Sequence, residues 1–515
     1  MRVLWFVLGV GGLVAGDAAQ LARWLRVLQR EHYEPVAPLR FWYRWTRPWG
    51  PSTPSGRPSL ALVGWVLFVA AWAWSLAIGR PWLAVASSVV YGVACPWGLT
   101  PRGRTGALRW TRRLRTVAIV AVAISAAVVL VGTLVGQAFY AGALVVVVTP
   151  LTVALAAQAM APWEARLAQG FVDQAAARLR RVAPTVVAIT GSYGKTSTKN
   201  HLADLLRHDG VVATPKSFNN RAGLSRAINE NLADGTRVFV AEMGTYGPGE
   251  IRDLCQWCPP AVAVITAIGP VHLERMKTLD VIEAAKFEIT ANASTVVVNV
   301  DDERLARWPD RLGGRVRRAG STSLEADVRV AELEGRWHVW VDGADVGQME
   351  PVLGVQPTNV ACALAAALEV GLTTEDLTAR LAAIGPVANR TAVTTAASGV
   401  VVIDDTFNAN PASARASLDV LSALAVPGRR VAVTPGLIEL GAEQGARNEE
   451  LARDVHQRGV ELVVVARTNL AALTRGYGSA VRRFRVRDEA VAWVRASLRA
   501  GDAVLYLNDL PDQYP

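Results

Sequence analysis

Residues 190–197, Thr190-Gly191-Ser192-Tyr193-Gly194-Lys195-Thr196-Ser197, carry the side chains best suited to binding a polyphosphate. The apolar run 186–189 leads into them, and a helical pattern over 200–206 leads out. A glycine-bounded loop between a buried strand and a helix aims several backbone N–H groups at one point. The helix dipole adds partial positive charge there. In such a loop Lys195 reaches the β- and γ-phosphates, and the Thr196 hydroxyl ligates Mg²⁺. Only two residues separate Gly191 from Gly194, so the full G-x-x-x-x-G-K-[ST] spacing is absent. The bland alternative is a turn that happens to hold a lysine; the flanking strand and helix patterns favour phosphate.

Lysine usage points to the same region. The chain relies on arginine and has five lysines, Lys195, Lys199, Lys216, Lys277 and Lys286, all between the loop and residue 286. Where an arginine-rich chain keeps lysine, a compact or modifiable amine is what the site needs, unless the cluster is chance.

Charge and composition divide the 515 residues unevenly. Residues 1–161 hold 15 arginines, no lysine and three acids (Asp17, Glu31, Glu34), a net +12 that leaves −2 for the remainder. The basic balance therefore belongs to the N-terminal part alone, which argues for a membrane and against nucleic acid as a partner. Twelve of the 17 tryptophans lie before residue 164, as interfacial anchoring favours. Four cysteines (Cys95, Cys255, Cys258, Cys362) make no disulfide framework and suit a reducing compartment. Cys255 and Cys258 have redox or half-zinc spacing, but no second pair follows.

Apolar stretches at 3–15, 60–78, 82–98, 116–139 and 141–161 read as five membrane spans. An arginine-rich connection holding Arg23, Arg26, Arg30, Arg40, Arg44, Arg47 and Arg57 joins the first two. Another, with Arg102, Arg104, Arg109, Arg112, Arg113 and Arg115, joins the third and fourth. The positive-inside rule puts both in the cytoplasm, the N-terminus outside, and everything after residue 161 in the cytoplasm, in a multi-pass plasma (inner) membrane protein. Residues 162–182 read as an amphipathic connecting helix. Beyond them apolar strands alternate with helical patterns (211–213, 238–241, 261–266, 295–300), the signature of a parallel α/β sheet. Residues 328–346 alternate with period two around Asp342-Gly343 and predict an antiparallel excursion, and 360–370 a buried helix. Strands at 400–403, 430–433, 461–465, 482–486 and 503–507 predict a second α/β domain. The fold class is thus a multi-span α-helical membrane segment (1–161) followed by a P-loop central α/β domain (183–387) and a C-terminal Rossmann-like α/β domain (388–515).

Further polar residues fall at strand ends. Glu242 closes the run 238–241, at the edge where a parallel sheet binds ligands. His272 follows the strand 261–266, and Lys286 lies in Ala285-Lys286-Phe287-Glu288-Ile289. Singly each reads as structural; their order and spacing make them informative together. With them the chain resembles the Mur ligase family, the ATP-dependent amide-forming enzymes of peptidoglycan precursor synthesis. The likeness is closest to the branch that adds D-alanyl-D-alanine to a UDP-muramoyl tripeptide. Besides residues 189–197, the matching stretches are Thr214-Pro215 to Asn219-Asn220, Ala241-Glu242-Met243-Gly244, His272-Leu273-Glu274 and 285–289. Residues 404–411 (Asp-Asp-Thr-Phe-Asn-Ala-Asn-Pro) and Glu439-Leu440-Gly441 complete the set, which spans about residues 183–515.

The resemblance implies roles. Gly191 to Ser197 hold the ATP phosphates, with Lys195, Glu242, His272 and Lys286 as the catalytic set. Thr196 and Glu242 ligate one Mg²⁺; His272 and Lys286 serve a second, with Lys286 carbamylated by CO₂. Asp405 and Asn408 contact ribose and adenine, Arg390 meets the nucleotide at the domain junction, and Asn299 lies near the adenine pocket. Asn219 and Asn220 orient substrate or phosphate. A substrate carboxylate then attacks the γ-phosphate, and an amine attacks the resulting acyl phosphate.

Departures from the family pattern fall on the substrate-choosing parts. The apolar segment stands where the family has a domain gripping the UDP-sugar. Thr358 and Cys362 replace His and Asn in a His-Asn-x-x-Asn-Ala-Leu stretch, and Pro435-Gly436 stands where Gly-Asp is usual. Residues 507–512 lack the family's Lys-Gly-Ser phrase. The expected function is a membrane-anchored carboxylate–amine ligase that uses an amino acid or dipeptide as amine donor and a cell-wall or lipid-linked envelope precursor as acceptor. A poly-γ-glutamate-type synthetase and a non-catalytic membrane scaffold or nucleotide sensor remain as alternatives. Transport is weaker still, since the spans hold almost no ionisable residues.

Overall fold

The computed structural model describes residues 2–46, 60–96, 99, 108–215, 218–386, 392–406, 409–478 and 481–508. The chain forms two compact units. One is Met1–Leu167 with Ala466–Ala471, the other Ala168–Val465 with Ala472–Asp509.

The first unit is helical: Arg2–Arg30, Ala37–Thr46, Leu60–Ala77, Pro81–Ala94, Arg112–Leu134 and the start of Ala138–Val182. Among the described residues two helices are long and apolar enough to cross a membrane, Arg112–Leu134 and Ala138–Val182. Val63–Ala77 and Pro81–Ala94 are shorter apolar helices. Among the described residues, all but three of the exposed large hydrophobic side chains lie before residue 172. Two expectations need correction. Arg23 and Arg26 are not in a loop but inside the helix Arg2–Arg30, and both are buried. The Arg23 guanidinium donates to the carbonyls of Gly92, Val93 and Leu99, while the Gln20 amide donates to those of Gly92 and Cys95. The helix Pro81–Ala94 thus ends on donors that satisfy carbonyls left open by the helix terminus. The connecting helix is also not a separate element. Ala138–Val182 runs unbroken through Pro150 and Pro162 for 45 residues, about 68 Å at 1.5 Å per residue.

The second unit holds two sheets. The larger has nine strands: β1 (Thr185–Thr190), β2 (Val211–Ala213), β3 (Val238–Glu242), β4 (Val262–Ile265), β5 (Thr295–Asn299), β6 (Arg315–Gly320), β7 (Val328–Leu333), β8 (Arg336–Val341) and β9 (Ala344–Met349), in the order β2-β3-β1-β4-β5-β6-β7-β8-β9. β2 through β7 pair in parallel and β7, β8 and β9 antiparallel, as the change in periodicity predicts. Both excursion turns use left-handed pairs, Glu334-Gly335 and Asp342-Gly343, the geometry that suits two-residue hairpins. Alternate residues of β1 face opposite cores. Val187 and Ile189 join the side covered by the helix Pro357–Glu369, whereas Val186 and Ala188 join the side holding Leu224, Ile251 and Ile282. The helix Pro357–Glu369 is buried from Val360 to Ala367, which explains its small, wholly apolar sequence there.

The second sheet has six strands: β10 (Ala392–Thr395), β11 (Val401–Asp405), β12 (Arg430–Thr434), β13 (Glu461–Val465), β14 (Arg482–Phe484) and β15 (Ala503–Leu507), in the order β10-β11-β15-β12-β13-β14. Only β10 is antiparallel to its neighbour. The chain is therefore a central and a C-terminal α/β domain preceded by an apolar helical unit.

Candidate active site

The parallel strands of the larger sheet end together at one edge, and the site grows there. β1 ends at Thr190, and Glu242, the last residue of β3, pairs with Ile189 beside it. The loop 191–194 joins β1 to the helix Lys195–Leu205. Gly191 and Gly194 have φ of +152° and +80°, and a Cβ on either would collide with Thr266 or Asn359. Glycine is required at both for conformation and for room. Ser192 locks the loop to the next strand's exit: its N–H donates to the Ala267 carbonyl, its hydroxyl to Gly269 O, and Gly269 N–H returns a bond to that hydroxyl. Thr266, just past β4, donates its hydroxyl to Thr190 O and Tyr193 O. The half-buried Tyr193 ring packs against Gly269, and desolvation raises its phenol pKa. The Lys195 ammonium donates to Gly191 O at 2.6 Å, within the loop it serves.

Glu242 is the hub of the polar network. Its Oε2 accepts from the Thr196 hydroxyl at 3.0 Å and the Lys199 ammonium at 3.1 Å; its Oε1 accepts from the Asn219 amide at 3.1 Å. Glu242 and Lys199 are both 1% exposed, so this is a buried ion pair. A hydroxyl and a carboxylate oxygen side by side are the hard donors Mg²⁺ takes, so Thr196 and Glu242 fit the cation. Among the described residues no three His, Cys, Asp or Glu side chains gather into a metal cage.

Lys286 lies near the end of the helix Leu279–Phe287 and is 2% exposed. Burial, with the Lys195 charge facing it, holds its amine well below the usual lysine range. The free amine is the form that reacts with CO₂, and the lowered pKa favours it. His272 does not share a bond with Lys286. It sits in a left-handed turn (φ +53°), edge-on to the Tyr246 ring at 4.7 Å, and its Nδ1 lies 2.5 Å from Glu439 Oε2 of the C-terminal domain.

The other expected residues separate. Asn219 joins the Glu242 network, but the Asn220 side chain caps the helix Arg221–Asn231 through Gly223 N–H. Asn299 stands at the same sheet edge, its amide donating to Thr266 O and its oxygen accepting from Asp301 N–H. Asp405 ends β11, 1% exposed, and accepts from the Ser417 hydroxyl at 2.8 Å. Arg390 and Asn408 lie outside the described residues. Cys255 and Cys258 are buried free thiols; burial, aided by Glu288, pushes Cys255 up to about 12 and raises Cys258 as well, so neither is a ready thiolate. Sequence reasoning missed Lys199, although the lysine count included it, and left Asn359 and Glu439 without roles.

Comparison with known proteins agrees with this geometry. Residues 189–368 match the Mur ligase middle domain and 389–507 the Mur ligase glutamate ligase domain. The UDP-N-acetylmuramoyl-tripeptide–D-alanyl-D-alanine ligase of Mycobacterium leprae is 34% identical over 363 residues, covering 62% of this chain and 70% of the relative. The chain belongs to the Mur ligase family. The enzyme of the same name from Escherichia coli K12 is 30% identical over 317 residues, covering 58% and 68%. Two solved structures superpose at TM-score 0.58: MurF of Acinetobacter baumannii (25% identity, 66% of this chain, 77% of that one) and MurF of Thermotoga maritima in complex with ADP (27%, 66% and 80%). By its family this ligase joins a carboxylate to an amine at the expense of ATP.

Proposed function

We propose that the protein is a membrane-anchored ligase that forms an amide bond on a cell-wall or lipid-linked envelope precursor through an acyl-phosphate intermediate. The observation that carries the reading is the sheet edge where Lys195, Thr196, Glu242 and the buried amine of Lys286 gather at one phosphate-binding loop. The acceptor carboxylate attacks the γ-phosphorus, the bond to the bridging oxygen breaks, and ADP leaves. The donor amine attacks the acyl carbon, phosphate departs, and the nitrogen loses its proton. Loop amides and Lys195 would hold the phosphates, Thr196 and Glu242 would hold one Mg²⁺, and His272 and carbamylated Lys286 would serve a second. Lys286 adds through Nζ to CO₂ and releases a proton, becoming an anionic carbamate. Mg²⁺ supplies charge neutralisation among the crowded phosphate and carboxylate oxygens.

The outward-facing apolar side chains and the arginine excess before residue 161 support a five-span anchor, with the N-terminus outside and the ligase domains (183–387 and 388–515) in the cytoplasm. The amine donor is an amino acid or dipeptide. D-alanyl-D-alanine, named in the relatives, is the first to try, with a UDP-muramoyl peptide as the soluble acceptor.

The test is ADP release by detergent-solubilised full-length protein with Mg²⁺ and bicarbonate, envelope lipid extract and a panel of amines, with Lys286→Ala as control. Release that needs both extract and one amine, and vanishes in the variant, supports the reading. Release that needs only the soluble UDP-muramoyl peptide removes the lipid-linked acceptor. Absence of release under every combination overturns the ligase reading in favour of a scaffold.

A further inference from the structure

We infer that Glu439, from the C-terminal domain, is a positioning residue for His272 and so ties completion of the metal site to docking of that domain. The inference rests on the proposed reading of His272 as a ligand.

Three observations meet at this contact. Glu439 Oε2 lies 2.5 Å from His272 Nδ1, across 167 residues of sequence. A carboxylate accepts, so Nδ1 carries a proton, and Nε2, the nitrogen to which no described residue is hydrogen-bonded, is the one that would meet a metal. A ligating histidine characteristically donates its other N–H to a carboxylate, which sets tautomer and ring orientation.

The two backbones are held for the purpose. His272 (φ +53°) and Glu439 (φ +63°) are both non-glycine residues in the left-handed region, a strained conformation that persists only where surroundings enforce it. Those surroundings are a close approach of the two domains. Glu274 N–H donates to Glu439 O at 3.3 Å, and Gly441 (φ +57°) packs so tightly on the Leu273 carbonyl that any Cβ would crowd it. On the other side Tyr246 meets the imidazole edge-on at 4.7 Å, with the Arg275 guanidinium 4.8 Å from the Tyr246 ring. The imidazole is thus fixed by an aromatic wall from its own domain and an acceptor from the other. If the C-terminal domain swings away, the ring keeps its wall and loses its tautomer.

The experiment measures Mn²⁺ binding to the full-length protein with ADP by electron paramagnetic resonance, for wild type, His272→Ala, Glu439→Ala, Glu439→Gln and the His272→Ala/Glu439→Ala double variant. His272→Ala and Glu439→Ala should each weaken one bound Mn²⁺ by about 10–100-fold. Glu439→Gln keeps a carbonyl acceptor and should stay within a few-fold of wild type. The double variant should bind no more weakly than His272→Ala, since Glu439 acts through that ring. ¹⁵N NMR of labelled histidine should find His272 protonated at Nδ1 in wild type and a tautomer mixture in Glu439→Ala. Unchanged binding in His272→Ala would remove the ligand role itself, and this inference with it. Weakening in His272→Ala but not in Glu439→Ala, an equal loss in Glu439→Gln and Glu439→Ala, or a wild-type Nε2–H tautomer would overturn the positioning role alone. If Glu439→Ala does not fold, the glutamine variant and the wild-type tautomer decide.

Discussion

Replacing Lys199 by methionine probes the buried Lys199–Glu242 ion pair of the phosphate site. Methionine keeps most of the stem and removes the ammonium, leaving Glu242 as a buried carboxylate with both residues 1% exposed. Removing one partner of such a pair costs about 3–5 kcal/mol. Glu242 keeps hydrogen bonds from Thr196 and Asn219, which places the expected loss at the lower end. At 2–4 °C per kcal/mol for a domain of this size, about 3 kcal/mol lowers the thermal midpoint by roughly 6–12 °C. Two controls make the cause identifiable. Adding Glu242→Gln to the methionine variant removes the stranded charge and should recover part of the loss. Mg²⁺ with ADP should raise the midpoint of Lys199→Met by more than that of wild type, because a divalent cation binding only the folded state restores positive charge where the lysine stood. Intrinsic fluorescence during thermal unfolding of the full chain reads all three proteins, with and without Mg²⁺ and ADP. A midpoint within about 2 °C of wild type, or a double variant less stable than the single one, would refute the electrostatic account of this pair.

Other changes have equally definite outcomes. His201 is buried in the helix that leaves the phosphate loop, its Nδ1 unbonded among the described residues, and burial pulls its pKa from 6.5 to about 4, against the opposing pull of Asp204. The unfolded chain takes the proton first, so stability is full above pH 6.5 and is lost as pH falls towards 4, by about 3 kcal/mol. His201→Leu should flatten that slope in urea titrations at pH 7 and 4.5; an equal slope in both proteins would count against it. Lys286→Arg should abolish the carbamate signal in ¹³C-bicarbonate NMR and cut turnover roughly 100-fold, and in wild type the signal should fade as pH drops through the lowered amine pKa. A carbamate peak that survives in the variant would assign it elsewhere. Gly194→Ala forces a Cβ into Asn359 at φ +80° and, at 1.4 kcal/mol per decade, should weaken ADP about tenfold or more by calorimetry; unchanged affinity would contradict the steric account.

The parts legible in the sequence are those whose geometry is local. Strand, glycine loop and helix follow one another over residues 185–205, so spacing alone places Lys195 and Thr196. Glu242 was legible because a parallel sheet ends all its strands at one edge, and Ile189 and Glu242 are neighbours there. The period-two stretch 328–346 declared its hairpins through alternation and the Asp342-Gly343 pair. Strands β6 and β10 were missed because their arginines and threonines carry little apolar signal. Arg23 was misplaced because a charge count cannot distinguish a loop guanidinium from one that caps a neighbouring helix end. The His272–Glu439 contact was invisible for a different reason: it depends on how two separately folded sheets dock, and neither local pattern encodes that.

The departures from the family stretch at Thr358 bear on what the site keeps. Its hydroxyl donates to Asp301 Oδ2 at 2.9 Å, in a cluster that also receives the backbone N–H groups of Ser321, Thr322 and Ser323. Burial works against that carboxylate's charge, yet the hydrogen bonds from Ser323, Ser321, Thr322 and Thr358 hold its pKa below the usual range. The cluster anchors the N-terminal end of the helix Pro357–Glu369, and Asn359, one residue on, backs Gly194. Threonine in place of histidine therefore preserves the support beneath the phosphate loop and discards only the imidazole. Cys362, buried in the same helix, replaces an amide by a small apolar thiol and fills space without adding a polar group. Both residues hold the helix that backs the phosphate loop, Thr358 by its hydrogen bond and Cys362 by packing.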